Sequence, residues 1–225
     1  MLRAYMSSGA HDIQSYKRRL QDGRKAELYA KRFESGSRRR IDKREQRAVR
    51  KIFAELKDCH SVIDVPSGAG RFVQTLSQGG RRVLEADVAF EILEYAQDRA
   101  DRLKIDAQTM QGDAAKLPLI DGAVDCVFSN RLLHHIHASA ERKALLREFH
   151  RVSRRYAVVS FFNYKGLARI RSLLKRLKGR VPPYANQPTQ EEFANEVTEC
   201  GFQVKGVVAT GMPWVSQRYF VLEKA

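Results

Sequence analysis

The sequence predicts an α/β fold organised as a doubly wound, mostly parallel sheet, and three observations predict it. Short apolar β-type runs alternate with helical stretches from about residue 58 to residue 163, the pattern of a parallel sheet covered by helices on both faces. The run Ser61 to Val65 leads into a tight Gly68-Ala69-Gly70 turn that opens an amphipathic stretch, Arg71 to Ser77. Strand, glycine turn and helix in that order bring backbone N–H groups close to a nucleotide-like ligand. Acids stand at or just beyond the ends of the first three runs, at Asp64, Asp87 and Asp113, on the edge where open α/β sheets bind their ligands. At 225 residues the chain fits one such domain with appendages and can bury a full core.

In chain order, an N-terminal tail leads into helical segments at His11 to Leu20 and Arg24 to Phe33, which Gly36 and Ser37 break. A longer helix follows from about Ile41 to Leu56. In it Ala48, Val49, Ile52, Phe53 and Leu56 recur at helical spacing, so that face packs on the sheet. Strands are expected near 61–65, 81–86, 107–111, 123–128 and 156–162, with helices between them. After Phe162 come an amphipathic basic stretch, a Pro182-Pro183 break, and a helix from Thr189, a capping residue type, to about Cys200. Two last strands, near 203–210 and 217–223, flank the turn Gly211 to Trp214.

Charge divides the chain. Residues 1–57 hold 17 Lys/Arg against 7 Asp/Glu, and residues 164–180 hold 7 basic residues and no acid, whereas 58–163 is balanced. The formal charge of +15 therefore sits on two appendages around a neutral core, and an anionic partner is expected to meet those appendages. Cys59, Cys126 and Cys200 are too few and too dispersed for a disulfide frame or a zinc site, and are expected as buried thiols in a reducing cytoplasm. No window approaches the roughly 20 apolar residues that span a bilayer, and Met1 to Leu20 lacks the apolar core of a signal peptide.

The glycine turn discriminates between ligands. A dinucleotide fingerprint wants a third glycine where Val73 stands, and a phosphate-binding P-loop wants Gly-Lys-Ser/Thr where Gly70 is followed by Arg71 and Phe72. What remains, Asp64 to Gly70, is D-x-x-x-G-x-G. That resembles the first motif of the class I S-adenosylmethionine (SAM) methyltransferases. Two further acids fall where such a fold needs them. Val83 to Asp87 reads as a second strand one βα unit later, so its terminal carboxylate lies beside the first loop and can accept both ribose hydroxyls. Ala107 to Ala114 reads as a third strand ending in Asp113, and Leu117-Pro118 with Asp121 to Asn130 looks like the family's fourth motif. The resemblance spans roughly Ser61 to Asn163. It implies a Rossmann-like, seven-stranded sheet ordered 3-2-1-4-5-7-6 with the last strand antiparallel, and SAM as cofactor.

The resemblance also implies roles. Asp64 would orient the methionine portion, and Gly68 and Gly70 would let the backbone approach closely. Pro66 stands where a glycine is commoner and removes one backbone donor, a variant of the motif. Asp87, followed by Val88, fits the ribose acid and leaves Glu85 as an exposed strand residue. Asp113 and Ala114 would meet the adenine, and Asn130 or its backbone the SAM amino group. Arg71 fits either the SAM carboxylate or a solvated helix position. Tyr29, Arg32 and Phe33 either form a lid over SAM and substrate, which would exclude water from the transfer, or belong to an ordinary amphipathic helix. Methyl transfer from a sulfonium needs alignment and removal of any acceptor proton. His134 or His135, in a Leu-His-His run past strand four, could take that proton; the same residues could instead cap or pack.

Two domains of function are thus expected: a basic helical extension or lid over 1–57, and a SAM-binding methyltransferase domain over 58–225 with a basic helical insertion at 164–180. In that insertion Leu167, Ile170, Leu173, Leu174 and Leu177 share one helical face amid cations, which suits an anionic membrane surface, an anionic substrate, RNA or a plain solvated cationic face. The leading reading is transfer of a methyl group to oxygen or nitrogen of a small-molecule or lipid-linked, anionic acceptor, in the cytoplasm or at the inner membrane face. The alternatives are an RNA methyltransferase whose basic arms grip phosphates, and a non-catalytic protein that kept the fold.

Overall fold

The structure, a computed structural model, describes residues 23–33, 35–136, 138–162, 188–211 and 217–225. Within them α1 (Gly23–Lys31) and α2 (Gly36–Glu55) precede β1 (Ser61–Asp64), α3 (Val73–Leu76), β2 (Arg82–Asp87), α4 (Phe90–Arg102), β3 (Ala107–Gln111) and β4 (Val124–Ser129). A 3-10 turn (Leu133–His135), α5 (Ser139–Val152), β5 (Ser153–Phe162), α6 (Gln190–Glu199), β6 (Phe202–Ala209) and β7 (Gln217–Lys224) follow. The expected segment at 11–20, the basic insertion at 164–180 and the prolines at 182 and 183 lie outside the described residues.

The strands form one sheet in the order β3-β2-β1-β4-β5-β7-β6. Its first five members pair in parallel, while β7 runs antiparallel to both β5 and β6. Strands covered on both faces read as continuous apolar runs, with alternate side chains entering opposite layers. Ile63, Val127 and Val159 enter the layer built with Leu145, Leu146, Phe149 and Phe193, from α5 and α6. Val62, Cys126, Phe128 and Val158 enter the other, with Val49, Ile52 and Phe53 of α2. The helical spacing seen in α2 therefore faces the sheet as expected.

Local chemistry explains most boundaries. Thr189 caps α6 through a full capping box with Glu192. Arg142 of α5 is buried and donates from Nε to Glu196 Oε2 of α6 at 2.8 Å, pinning the two helices. Three boundaries differ from expectation. The helix expected from Ile41 begins at Gly36, with the extended Ser35 before it, so the glycine and serine open the helix. The stretch from Arg71 yields only the single turn of α3. β3 ends at Gln111, so Asp113 lies past the strand, bridged to Lys116 in a turn. All three cysteines are free and buried. The outer face of α2 exposes Arg38, Arg40, Arg44, Arg47 and Lys51, with no ion pair to them among the described residues.

Candidate functional site

The site forms where β1, β2 and β4 end. After Asp64 the chain turns through a cis Val65-Pro66 bond and two glycines in the left-handed region, Gly68 at φ +57° and Gly70 at φ +65°. Gly70 is required twice over, because a Cβ there would come within 3.0 Å of the Ala96 backbone in α4. Two amides anchor the loop to β2: Ser67 N donates to Ala86 O at 2.8 Å, and Gly68 N donates to Asp87 Oδ2 at 3.0 Å. Asp87 Oδ1 accepts from Ala89 N at 3.1 Å, opening α4, and Val88 O accepts from Gln111 Nε2 at 3.1 Å. The carboxylate expected beside the first loop is thus joined to it.

Asp64, Glu85 and Asp87 form a buried acidic cluster. Asp64 and Glu85 are register partners on adjacent parallel strands, and Glu85 and Asp87 share one face of β2. Asp64 is 1 % exposed, and Glu85 and Asp87 are 0 % exposed. The expectation of an exposed Glu85 is therefore wrong: a sheet covered on both sides has no solvent face for it. Among the described residues, neither carboxylate oxygen of Asp64 or of Glu85 has a hydrogen-bond partner. Burial, reinforced by Glu85, pushes the Asp64 carboxyl well above its usual range, with Arg71 opposing. Burial likewise pushes Glu85 up to about 8.

A second buried acid sits across the edge with the opposite surroundings. Glu45 of α2 is 0 % exposed. Its Oε2 pairs with Arg71 Nη2 at 2.6 Å, and its Oε1 accepts from Arg131 Nε at 2.9 Å and Nη2 at 2.6 Å. Burial would raise this carboxyl, but Arg71 and Arg131 together outweigh it and hold Glu45 below the normal range. Arg71 also pairs with Asp42, and its side chain is only 13 % exposed, so a solvated helix position does not describe it. Phe33 lies between the two cations, 4.2 Å from the Arg71 guanidinium and 5.5 Å from that of Arg131.

Other expected residues take distinct places. Asn130 is buried, and its Oδ1 accepts from Tyr219 Oη at 2.9 Å and Gln217 Nε2 at 3.3 Å, which fixes it towards β7. Asp113 is exposed, and its Oδ1 accepts from Ala115 N at 2.9 Å, so it shapes its own turn; Ala114 packs at the margin of the core. His134 is buried against Phe162 with ring centroids 4.6 Å apart, and tilts over the exposed His135 at 3.9 Å. Arg32 stacks 3.8 Å above Tyr29, and Tyr29 in turn lies against Gly68, at 3.7 Å from where a Cβ would stand. Tyr29 and Ala30 pack with Ala69, Ala89 and Ile92, so α1 covers the outside of the glycine loop.

Sequence reasoning missed Glu45, Arg131, Gln217 and Tyr219. One signal was available for Arg131: it directly follows Asn130 at the end of β4. Its φ of +60° is rare for a residue with a side chain and marks constrained positions. Among the described residues no group of three or more His, Cys, Asp or Glu could hold a metal ion, and no helix is long and apolar enough to cross a membrane.

Several known proteins are similar to this chain. The methyltransferase-domain family model matches residues 63–161. A malonyl-[acyl-carrier protein] O-methyltransferase of Hamiltonella defensa is 36% identical over 101 residues, covering 44% of this chain and 36% of that protein. A protein of the same name from Pectobacterium atrosepticum is 27% identical over 194 residues, covering 76% of this chain and 73% of its own length. The chain thus spans about a third of the first relative and about three quarters of the second. Among solved structures, magnesium protoporphyrin IX methyltransferase from Synechocystis with SAH bound superposes with a TM-score of 0.73 at 19% identity, covering 95% of this chain and all of that one. The shared sheet order is a likeness of fold.

Proposed function

We propose that this chain, which belongs to the class I SAM-dependent methyltransferases, transfers a methyl group from SAM to an oxygen of an anionic acceptor, and specifically to a carboxylate on a small or carrier-linked acyl group. The observation that carries the first part is the junction of Gly68 N with the Asp87 carboxylate, beside an Asp64 whose buried oxygens lack partners. Those residues fit SAM. Asp87, held by the Gly68 and Ala89 amides, stands where the ribose hydroxyls would be met. Asp64, with no hydrogen-bond partner among the described residues, suits the methionine end, whose positive charge would favour its ionised form. Gly68 and Gly70, with the variant Pro66, let the backbone approach. Val88, Asp113 and Ala114 would border the adenine, and Asn130 the amino group. The carboxylate acceptor draws its support from the relatives named as O-methyltransferases of a malonyl carrier.

When bound, SAM supplies a methyl carbon on a positively charged sulfur that leaves as a neutral thioether. The protein's part is to align the acceptor oxygen with that carbon and to exclude water. Tyr29 and Arg32, stacked over the glycine loop, serve as the lid. His134 and His135 act as proton acceptors only where the acceptor arrives protonated, as a hydroxyl does.

Calorimetry with SAM tests the reading: the wild type binds, and Asp87→Ala abolishes the heat. Absence of binding by the wild type overturns it. Turnover of a malonyl thioester then separates acceptors. A carboxylate is already ionised, so the rate stays flat between about pH 6 and 8, whereas a hydroxyl acceptor must first give up its proton and shows a rate that falls with added acid.

A further inference from the structure

We propose that Arg131 is the specificity-determining residue for the acceptor, presenting the free edge of its guanidinium to an acceptor carboxylate while Glu45 holds the opposite edge. This rests on the carboxylate-acceptor reading above.

Three observations carry it. The first is placement. Arg131 follows the last residue of β4 by two positions and adopts a left-handed backbone conformation. Its amide donates to Ser160 Oγ of β5 at 2.6 Å. A residue held in that region by a specific hydrogen bond is over-determined by its surroundings, as at ligand clamps. The second is hydrogen bonding. Nε and Nη2 are both taken by Glu45 Oε1, and Nη2 also reaches Gln217 Oε1 at 3.4 Å. No hydrogen bond among the described residues reaches Nη1. A guanidinium has five N–H donors in a rigid fork, so one edge is locked and the other is left to offer. The third is setting. The Arg131 side chain is 25 % exposed, and Phe33 and Phe162 flank its guanidinium at 5.5 and 5.7 Å. Phe162 also stacks on His134. A charge between two rings is partly screened from water and keeps more of its attraction for an anion.

The geometry also accounts for why the acid partner comes from α2. A lone guanidinium there would be free to swing; Glu45 fixes its orientation from beneath. One oxygen of the acceptor carboxylate would rest on Nη1, leaving the other to form the new C–O bond as the methyl carbon–sulfur bond breaks and its electron pair goes to sulfur.

The test separates this inference from the function it rests on. Malonate binding to the SAH-loaded protein is measured by calorimetry for wild type, Arg131→Gln and Arg131→Lys, with malonamide as the neutral control and thermal melting as the check on folding. The expected result is malonate bound in preference to malonamide, weakened about a hundredfold in Arg131→Gln and partly restored in Arg131→Lys, with SAH affinity near wild type and a lowered melting temperature in Arg131→Gln, where Glu45 keeps only Arg71. If Arg131→Gln unfolds, Arg131→Lys carries the comparison alone, since loss of the fork geometry weakens malonate there too. Malonate binding unchanged in both variants, or none in the wild type, overturns the inference. Unchanged binding would place the anion instead in the open cavity of about 410 Å³ on the far side of Phe33, lined by Arg39, Lys43 and Arg71. A protein that binds malonate through Arg131 yet makes no methyl ester from a malonyl thioester would sink the proposed acceptor and leave the role of Arg131 standing.

Discussion

Two groups of buried acids share one edge of the sheet and differ in what surrounds them. Glu45 has two arginines and is held ionised. Asp64 and Glu85 have no hydrogen-bond partners among the described residues and are pushed towards the protonated form. The first group is complete within the protein and welds α2 to two strand-end loops. The second is incomplete within the protein, an arrangement that costs stability unless a ligand completes it. Burial alone therefore does not separate the two groups; the presence or absence of a partner does.

The largest test of this contrast is at the weld. Glu45→Ala leaves Arg131 without its acid and Arg71 with Asp42 alone, and is expected to cost about 3–5 kcal/mol of stability in denaturant titrations. A loss below about 1 kcal/mol would mean that the arginines relax into solvent and that the weld is not one.

The acidic cluster should behave with the opposite sign against pH. Glu85 has its folded pKa raised from 4.5 to about 8, so its contribution is intact below about pH 4.5 and is lost as pH climbs towards 8. Glu45 has a lowered folded pKa, so its contribution is present above about pH 4.5 and is lost as pH falls through the folded value. Glu85→Gln should leave the acid side unchanged, flatten the alkaline decline and gain about 1–2 kcal/mol at pH 8. Equal slopes for variant and wild type in pH-dependent melting would show that Glu85 finds a partner in solution.

The smallest effect sharpens where the weld ends. Asp42 pairs with the outer side of Arg71 and is 22 % exposed, so Asp42→Asn should cost no more than about 1 kcal/mol. A cost matching that of Glu45→Ala would extend the weld to the surface.

Much of this was legible in the chain. The run from Asp64 to Gly70, the acid at Asp87 and the cap at Thr189 each rest on local chemistry that a few neighbouring residues define. Glu45 was not legible: it sits among Asp42, Arg44 and Arg47 in a helix that reads as a solvated cationic surface. What buries it is Arg131, 86 residues later, and no local pattern carries that distance. Glu85 was misread because alternation suggests an outer face, which a helix-covered parallel sheet lacks. Asp113 was placed at a strand end, but that strand stops at Gln111 and Asp113 shapes the turn that follows.

The antiparallel pair at the sheet's right-hand edge bears on how a ribosome delivers this protein. β6 leaves the exit tunnel before β7, yet β7 is its sole strand neighbour and the bridge to β5. Until β7 emerges, the nascent chain holds β6 without a ladder and β5 with one open side, a stretch of unpaired backbone that other chains can capture. Translation that pauses before β7 would be expected to raise misassembly, whereas a pause after β7 has paired would not.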